Sequence, residues 1–268
     1  MCKILAVANH KGGVAKTTST VNIGIGLARM GQKVLLVDSD AQASLTSSLG
    51  FKNPDSIKYT IAKVFDKTIN EEEINLEEGI LHHEEGIDLM PSSLDLSVSE
   101  ANIFRAYRCE YILKEYLDSL RKNYDWIIID CPPSLGKLMV NDLVAADSVV
   151  IPVQSGYLPT KGLEQILNTI VGIITHKVNL GLKVEGILLT MVDGRTNYCK
   201  EIIQKIKEDY GNFAPIFESE IPLSVRVSEC SRLGKSIYSH DPKGKAAKAY
   251  NSLTLEIFGN AKDGGDVG

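Results

Sequence analysis

Eight consecutive residues carry most of the chemistry in this 268-residue chain: Lys11-Gly12-Gly13-Val14-Ala15-Lys16-Thr17-Thr18. Glycines at 12 and 13 let backbone N–H groups approach phosphate oxygens, and a helix opening at the same place adds a dipole that favours negative charge. Lys16 would reach the outer phosphates of a bound nucleotide, and the Thr17 hydroxyl would ligate Mg²⁺. The segment follows an apolar strand pattern at Lys3–Ala8 and opens a helical pattern at Thr17–Met30. That strand–loop–helix order is the context a P-loop requires. Ala15 departs from the usual P-loop, which has Gly before the lysine; the backbone is expected to tolerate its Cβ because the rest of the loop is intact.

Three carboxylates stand at the ends of apolar runs. Asp38 and Asp40 occur in Val37-Asp38-Ser39-Asp40-Ala41-Gln42, and Asp130 closes Asp125–Asp130 ahead of Cys131-Pro132-Pro133-Ser134. An Asp at such a strand end holds Mg²⁺, often through water, and one near the terminal phosphate can orient the attacking water. Taken singly, each would more often cap a helix. Three of them beside a P-loop point to Asp38 and Asp130 with Thr17 on the metal, where strand ends gather around a ligand.

These residues need a scaffold, and the pattern supplies one. Short β-branched runs at Lys3–Ala8, Lys33–Asp38, Ile87–Met90, Asp125–Asp130, Ser148–Val153 and Val184–Val192 alternate with helical stretches. The helices are expected at Thr17–Met30, across most of Leu94–Lys122, and at Thr160–His176, Asn197–Tyr210 and Lys243–Phe258. Such alternation predicts a single-domain α/β fold over residues 1–258, with a mostly parallel twisted sheet and helices on both faces. Residues 259–268 are small and polar and are expected to be a disordered tail.

Bulk properties narrow the class. With 44% hydrophobic and 24% charged residues the chain is an ordinary globular protein. No apolar run reaches the roughly 18–20 residues that span a bilayer, the start of the chain is too short for a signal peptide, and five scattered cysteines without a C-x-x-C read as reduced thiols. A cytoplasmic location follows as the expectation. The net charge of −5 hides an asymmetry: residues 66–100 hold eleven acids and one lysine, a balance of −10, so the remainder carries +5. A basic face that meets nucleic acid is compatible with the acidic total.

Taken together, the motifs resemble the ParA/Soj partition ATPases, a deviant Walker A branch that includes MinD. The resemblance runs from Cys2 to Phe258 through KGGVAKTTS at 11–19, LLVDSDAQ at 35–42, DWIIIDCPPSLG at 125–136, DSVVIPVQ at 147–154, LLTMVDGRTN at 188–197 and IPLSVRVSE at 221–229. It implies a P-loop NTPase fold, ATP and Mg²⁺ as cofactors, and an ATP-bound homodimer. It also implies sequence-independent binding to double-stranded DNA, and a ParB-like partner that accelerates hydrolysis. In this reading Lys11 crosses to the partner's nucleotide and Asp40 takes part in hydrolysis. Asp130 is the Walker B carboxylate. Met191 and Asp193, with Pro222 and Val225, belong to the segments against the adenine, and Arg195 and Arg226 contact DNA. The Lys11 role has a physical logic: two nucleotide-loaded copies face to face would each neutralise the other's triphosphate, so ATP acts as an interfacial ligand. Ala41 and Leu223 depart from the family pattern, which has proline and a basic residue there.

Competing readings are weaker on the residues. A MinD-like membrane helix has no counterpart in Asn260–Gly268, which lacks an amphipathic pattern. An iron–sulfur carrier would need paired cluster cysteines, for which Cys109 and Cys131 are candidates by number only. A nucleotide-gated regulator with little turnover remains the alternative that Ala15 motivates. Between Arg195 and Lys248 ten basic residues face seven acidic ones, so any DNA surface there depends on how they cluster.

Overall fold

The structure is a computed structural model that describes residues 2–155 and 160–263. Seven strands form one sheet: β1 (Lys3–Val7), β2 (Val34–Asp38), β3 (Leu81–His82), β4 (Asp88–Met90), β5 (Trp126–Asp130), β6 (Ser148–Gln154) and β7 (Lys183–Thr190). Their spatial order is β3-β4-β2-β5-β1-β6-β7, and every pairing except β3 with β4 is parallel. The helices are α1 (Lys16–Arg29), α2 (Ser44–Ser48), α3 (Ile61–Ile69), α4 (Asp95–Asn102), α5 (Ile112–Leu120), α6 (Lys137–Ala145), α7 (Thr160–Thr175), α8 (Asn197–Tyr210), α9 (Val225–Leu233), α10 (Ile237–His240) and α11 (Lys245–Asp263). This is the single α/β unit the alternating pattern predicts.

Both faces of the sheet are covered, which is why its strands read as continuous apolar runs. Successive residues of β1 enter different cores: Ile4 and Ala6 join the side of α3–α8, whereas Leu5 and Val7 join the side of α1, α2 and α9–α11. α1 lies unusually close to its neighbours because it carries two glycines. A Cβ at Gly24 would stand 2.5 Å from Leu36 Cδ2, and one at Gly26 would collide with Thr254 of α11. The P-loop helix is thereby clamped between β2 and α11, and Tyr250 adds a 3.3 Å hydroxyl contact to Ser19.

The stretch 94–122 is mostly helical, as expected, and divides into α4 and α5: Arg108 takes a left-handed conformation at φ 53 and its guanidinium lies over Tyr111, so the chain turns between them. One expectation changes. The helix expected to stop at Phe258 runs on to Asp263, because Phe258 and Ala261 still pack on the apolar core. Residues 264–268 of the expected tail lie outside the described residues.

Candidate functional site

Parallel strands put their carboxyl ends along one edge of the sheet, and there the chemistry gathers. The P-loop leaves β1 and ends in α1. Gly13 takes φ +74, and a Cβ at Gly12 or Gly13 would meet nothing within 4 Å, so the loop is open to a ligand. The first turn of α1 offers amide donors that no intrahelical carbonyl takes. Lys16 is buried and folds back over the loop, its Nζ donating to the Lys11 carbonyl at 3.3 Å. Burial lowers its pKa, against the opposing pull of Asp130 and Asp40. Ala15 is tolerated, but in the left-handed region, at φ 68 and ψ 32. Its cost is therefore backbone strain at the position where Gly would have none.

Opposite Lys16, Asp130 is fully buried and accepts from the Thr17 hydroxyl at 2.6 Å and from Thr20 at 3.4 Å. Asp38 pairs with it in register across β2 and β5, which places the two carboxylates on the same face of adjacent strands. Burial and the neighbouring Asp38 push Asp130 up to about 8, and burial pushes Asp38 up to about 6. Two confined acids that resist ionisation together with an adjacent hydroxyl are hard oxygen donors suited to a divalent cation. No group of three His, Cys, Asp or Glu that could hold a metal exists among the described residues. A Mg²⁺ held by Thr17 and Asp130 would therefore draw further ligands from phosphate oxygens and water. Asp38 is more occupied than expected: its Oδ2 accepts from the Thr46 amide at 2.8 Å and hydroxyl at 2.7 Å, and so anchors α2. Asp40 is half-buried, with its Oδ1 accepting from the Gln42 amide at 3.0 Å.

Lys11 sits at the loop entrance, half-buried, with its amide donating to Asn9 Oδ1 at 2.9 Å. Gly162 of α7 packs so near that a Cβ there would stand 3.2 Å from Lys11 Cβ. The two segments expected against the base are joined directly. The Val192 amide donates to the Ile221 carbonyl at 2.9 Å, and the Leu223 amide to the Val192 carbonyl at 3.1 Å. This brings Met191 and Asp193 beside Pro222, with exposed Val225 just beyond. The Thr190 hydroxyl donates to the Val14 carbonyl at 3.1 Å, so that wall is tied to the P-loop. Arg195 and Arg226 are both exposed and both paired within the chain. Arg195 forms a fork with Asp193 at 2.8 Å, and Arg226 meets Glu229 at 3.1 Å, a carboxylate shared with His240 at 2.7 Å.

Comparison with known proteins settles the family. The AAA domain family AAA_31 matches residues 2–184. The chain is 40% identical to the sporulation initiation inhibitor protein Soj of Bacillus subtilis over 97% of its length and all of that protein. It is 39% identical to the chromosome partitioning protein ParA of Myxococcus xanthus, over 96% of this chain and 88% of that one. The chain belongs to the ParA/Soj family of partition ATPases. A solved relative described as cobyrinic acid a,c-diamide synthase from Mycobacterium smegmatis, with bound ATP analogue and magnesium, superposes on this ParA/Soj-family chain with a TM-score of 0.85. It is 34% identical, and 98% of this chain and 97% of that one are covered.

Sequence reasoning missed several groups that build the ParA/Soj-type site. Thr46 and Thr20, which hold Asp38 and Asp130, lie in segments with no motif of their own. Asp142 of α6 is fully buried, accepts from Ser39 Oγ at 2.6 Å, and stays protonated far above the ordinary carboxylate range through burial. It ties the Asp38–Asp40 loop to the helix that follows Asp130. An aspartate inside an apolar helical run was the one signal available for it. Cys131 is buried with its thiol pushed up by burial, and no cysteine of the chain forms a disulfide among the described residues. No helix among them is long and apolar enough to cross a membrane.

Proposed function

We propose that the chain is a Mg²⁺-dependent ATP hydrolase of a DNA partition system, in which ATP closes a homodimer that binds double-stranded DNA without sequence preference. The observation that carries this reading is the 2.6 Å contact between Thr17 and Asp130 opposite Lys16, at the mouth of an open glycine loop. Lys16 turns from the Lys11 carbonyl to the outer phosphates. Thr17 and Asp130 would hold the metal, with Asp38 behind them. Bound Mg²⁺ would neutralise charge on the phosphate oxygens that the leaving ADP retains. Asp40 orients the attacking water, which adds to the terminal phosphorus as the bond to the ADP oxygen breaks, giving ADP and phosphate.

Lys11 reaches the nucleotide of the second copy, so charge neutralisation is complete only in the dimer. Met191, Asp193, Pro222 and Val225 border the base. Arg195 and Arg226 leave their carboxylate partners for DNA phosphates, and exposed ion pairs of this kind are weak enough to exchange. A ParB-like partner accelerates hydrolysis, and the loss of the terminal phosphate opens the dimer and releases DNA. The protein works in the cytoplasm, on the nucleoid while ATP-bound.

Steady-state phosphate release with DNA and the cognate ParB-like protein tests this directly. Stimulated release that disappears in Asp40→Ala, with analogue binding retained, is the expected outcome. Binding without any release above background in the wild type would leave only a nucleotide-gated regulator.

A further inference from the structure

Ser39 stands between two carboxylates of the phosphate site, Asp38 and Asp40, and it is fixed twice. Its amide donates to the Asp130 carbonyl at 3.1 Å, which joins the ends of β2 and β5. Its hydroxyl donates to Asp142 Oδ1 at 2.6 Å, and both residues are fully buried. Asp142 is carried by α6, and the neighbouring residue holds that helix in place. The Asn141 side chain accepts from the Leu113 amide at 3.3 Å and donates to the Cys109 carbonyl at 2.9 Å, so α6 is tied to α5 and to the turn before it.

For stability alone, Asp142 is a costly way to make one hydrogen bond. Its Oδ2 is buried and has no hydrogen-bond partner among the described residues, and burial keeps the carboxyl protonated. Replacing both members of such a pair by apolar groups leaves a protein nearly as stable, or more so. A buried group left half-satisfied therefore points to a requirement other than stability, and such exceptions gather at functional sites. What the bond achieves is geometric. Asp40 follows Ser39 directly, and its charge acts on Lys16, Asp38 and Asp130 across the same space. A peptide unit is planar, so fixing Ser39 at its amide and at its side chain leaves few torsions through which Asp40 can swing.

On the ATP hydrolase reading above, we infer that Asp142 is a positioning residue for hydrolysis, which through Ser39 holds Asp40 where the attacking water is oriented. Asp142 itself touches neither nucleotide nor water. Because its helix follows the loop that leaves Asp130, the same bond keeps the water-orienting carboxylate at one spacing from the metal-side carboxylate. A small misplacement of a group that orients a reactant is enough to slow the chemical step while leaving binding intact.

Asp142→Ala, Asp142→Asn, Ser39→Ala and the double variant Asp142→Ala with Ser39→Ala test it in the full-length protein. Steady-state phosphate release with Mg²⁺-ATP, double-stranded DNA and the cognate ParB-like protein gives kcat and KM, and titration with a hydrolysis-resistant ATP analogue gives affinity. Asp142→Ala and Ser39→Ala are each expected to lower kcat roughly tenfold with KM and analogue affinity unchanged. The double variant is no slower than either single one, because all three remove the same bond, and its thermal midpoint does not fall. Asp142→Asn keeps the wild-type kcat, since its carbonyl oxygen still accepts from Ser39. Wild-type kcat in Asp142→Ala or Ser39→Ala overturns the positioning role. So do losses that multiply in the double variant, a loss of analogue affinity alongside kcat, or an Asp142→Asn as slow as Asp142→Ala. A wild type that binds the analogue but releases no phosphate overturns the hydrolase reading and this role with it, whereas an active wild type with unaffected variants removes the role alone.

Discussion

Replacing Ala15 by glycine should stabilise the nucleotide-free protein. Ala15 sits at φ 68 and ψ 32, immediately before α1. A side-chain-bearing residue pays about 1–2 kcal/mol for that region. Glycine removes this penalty but enlarges the freedom of the unfolded chain, which takes back about 0.4–1 kcal/mol. The net gain is about 1 kcal/mol, equivalent to a rise of roughly 3 °C in Tm for a chain of this size. Gly13 provides the mirror experiment. It lies at φ +74 with open space around an added Cβ, so Gly13→Ala adds the same strain without a clash and costs about the same amount. The two changes together should nearly cancel. Denaturant unfolding followed by circular dichroism measures all three, with the midpoint moving and the slope constant. A lower midpoint for Ala15→Gly would show that the loop stores no such strain.

Asp130→Asn should raise nucleotide-free stability, and more at pH 8 than at pH 6. The folded carboxyl is raised to about 8, so the folded state holds the proton more tightly and loses stability as pH climbs above the unfolded value. Thermal midpoints across that range check the sign, and the variant should also lose the Mg²⁺-dependent part of nucleotide binding. Arg195→Glu combined with Arg226→Glu should abolish DNA retention while leaving the nucleotide-dependent mass unchanged. Filter binding between low and moderate salt reads it, and undiminished retention at low salt would move the DNA surface elsewhere.

The sequence spelled out the parts of the fold that repeat a simple physical pattern. Trp126-Ile127-Ile128-Ile129 had to be a strand buried on both faces, and the carboxylate after it had to emerge at the sheet edge. The phosphate site was legible for the same reason, because Gly12, Gly13, Lys16 and Thr17 are neighbours along the chain. What stayed hidden depends on distant partners. Thr46 reaches Asp38 and Asp142 reaches Ser39 only once α2 and α6 have docked. The helix α2 is five residues long and too short to show a period. The left-handed turn at Arg108 that divides α4 from α5 falls at a residue type that carries no turn signal. Nor did charge counting show that Arg195 and Arg226 would each meet a carboxylate of their own neighbourhood.

The most direct trial of the central claim is the mass of the wild-type chain in solution when saturated with Mg²⁺ and a hydrolysis-resistant ATP analogue, beside Lys11→Ala. The wild type is expected at twice the 29.3 kDa of one copy with the analogue and at a single copy with ADP, and Lys11→Ala at a single copy that still binds the analogue. A wild type that remains at one copy under full saturation, or a Lys11→Ala protein that pairs as tightly, would contradict it.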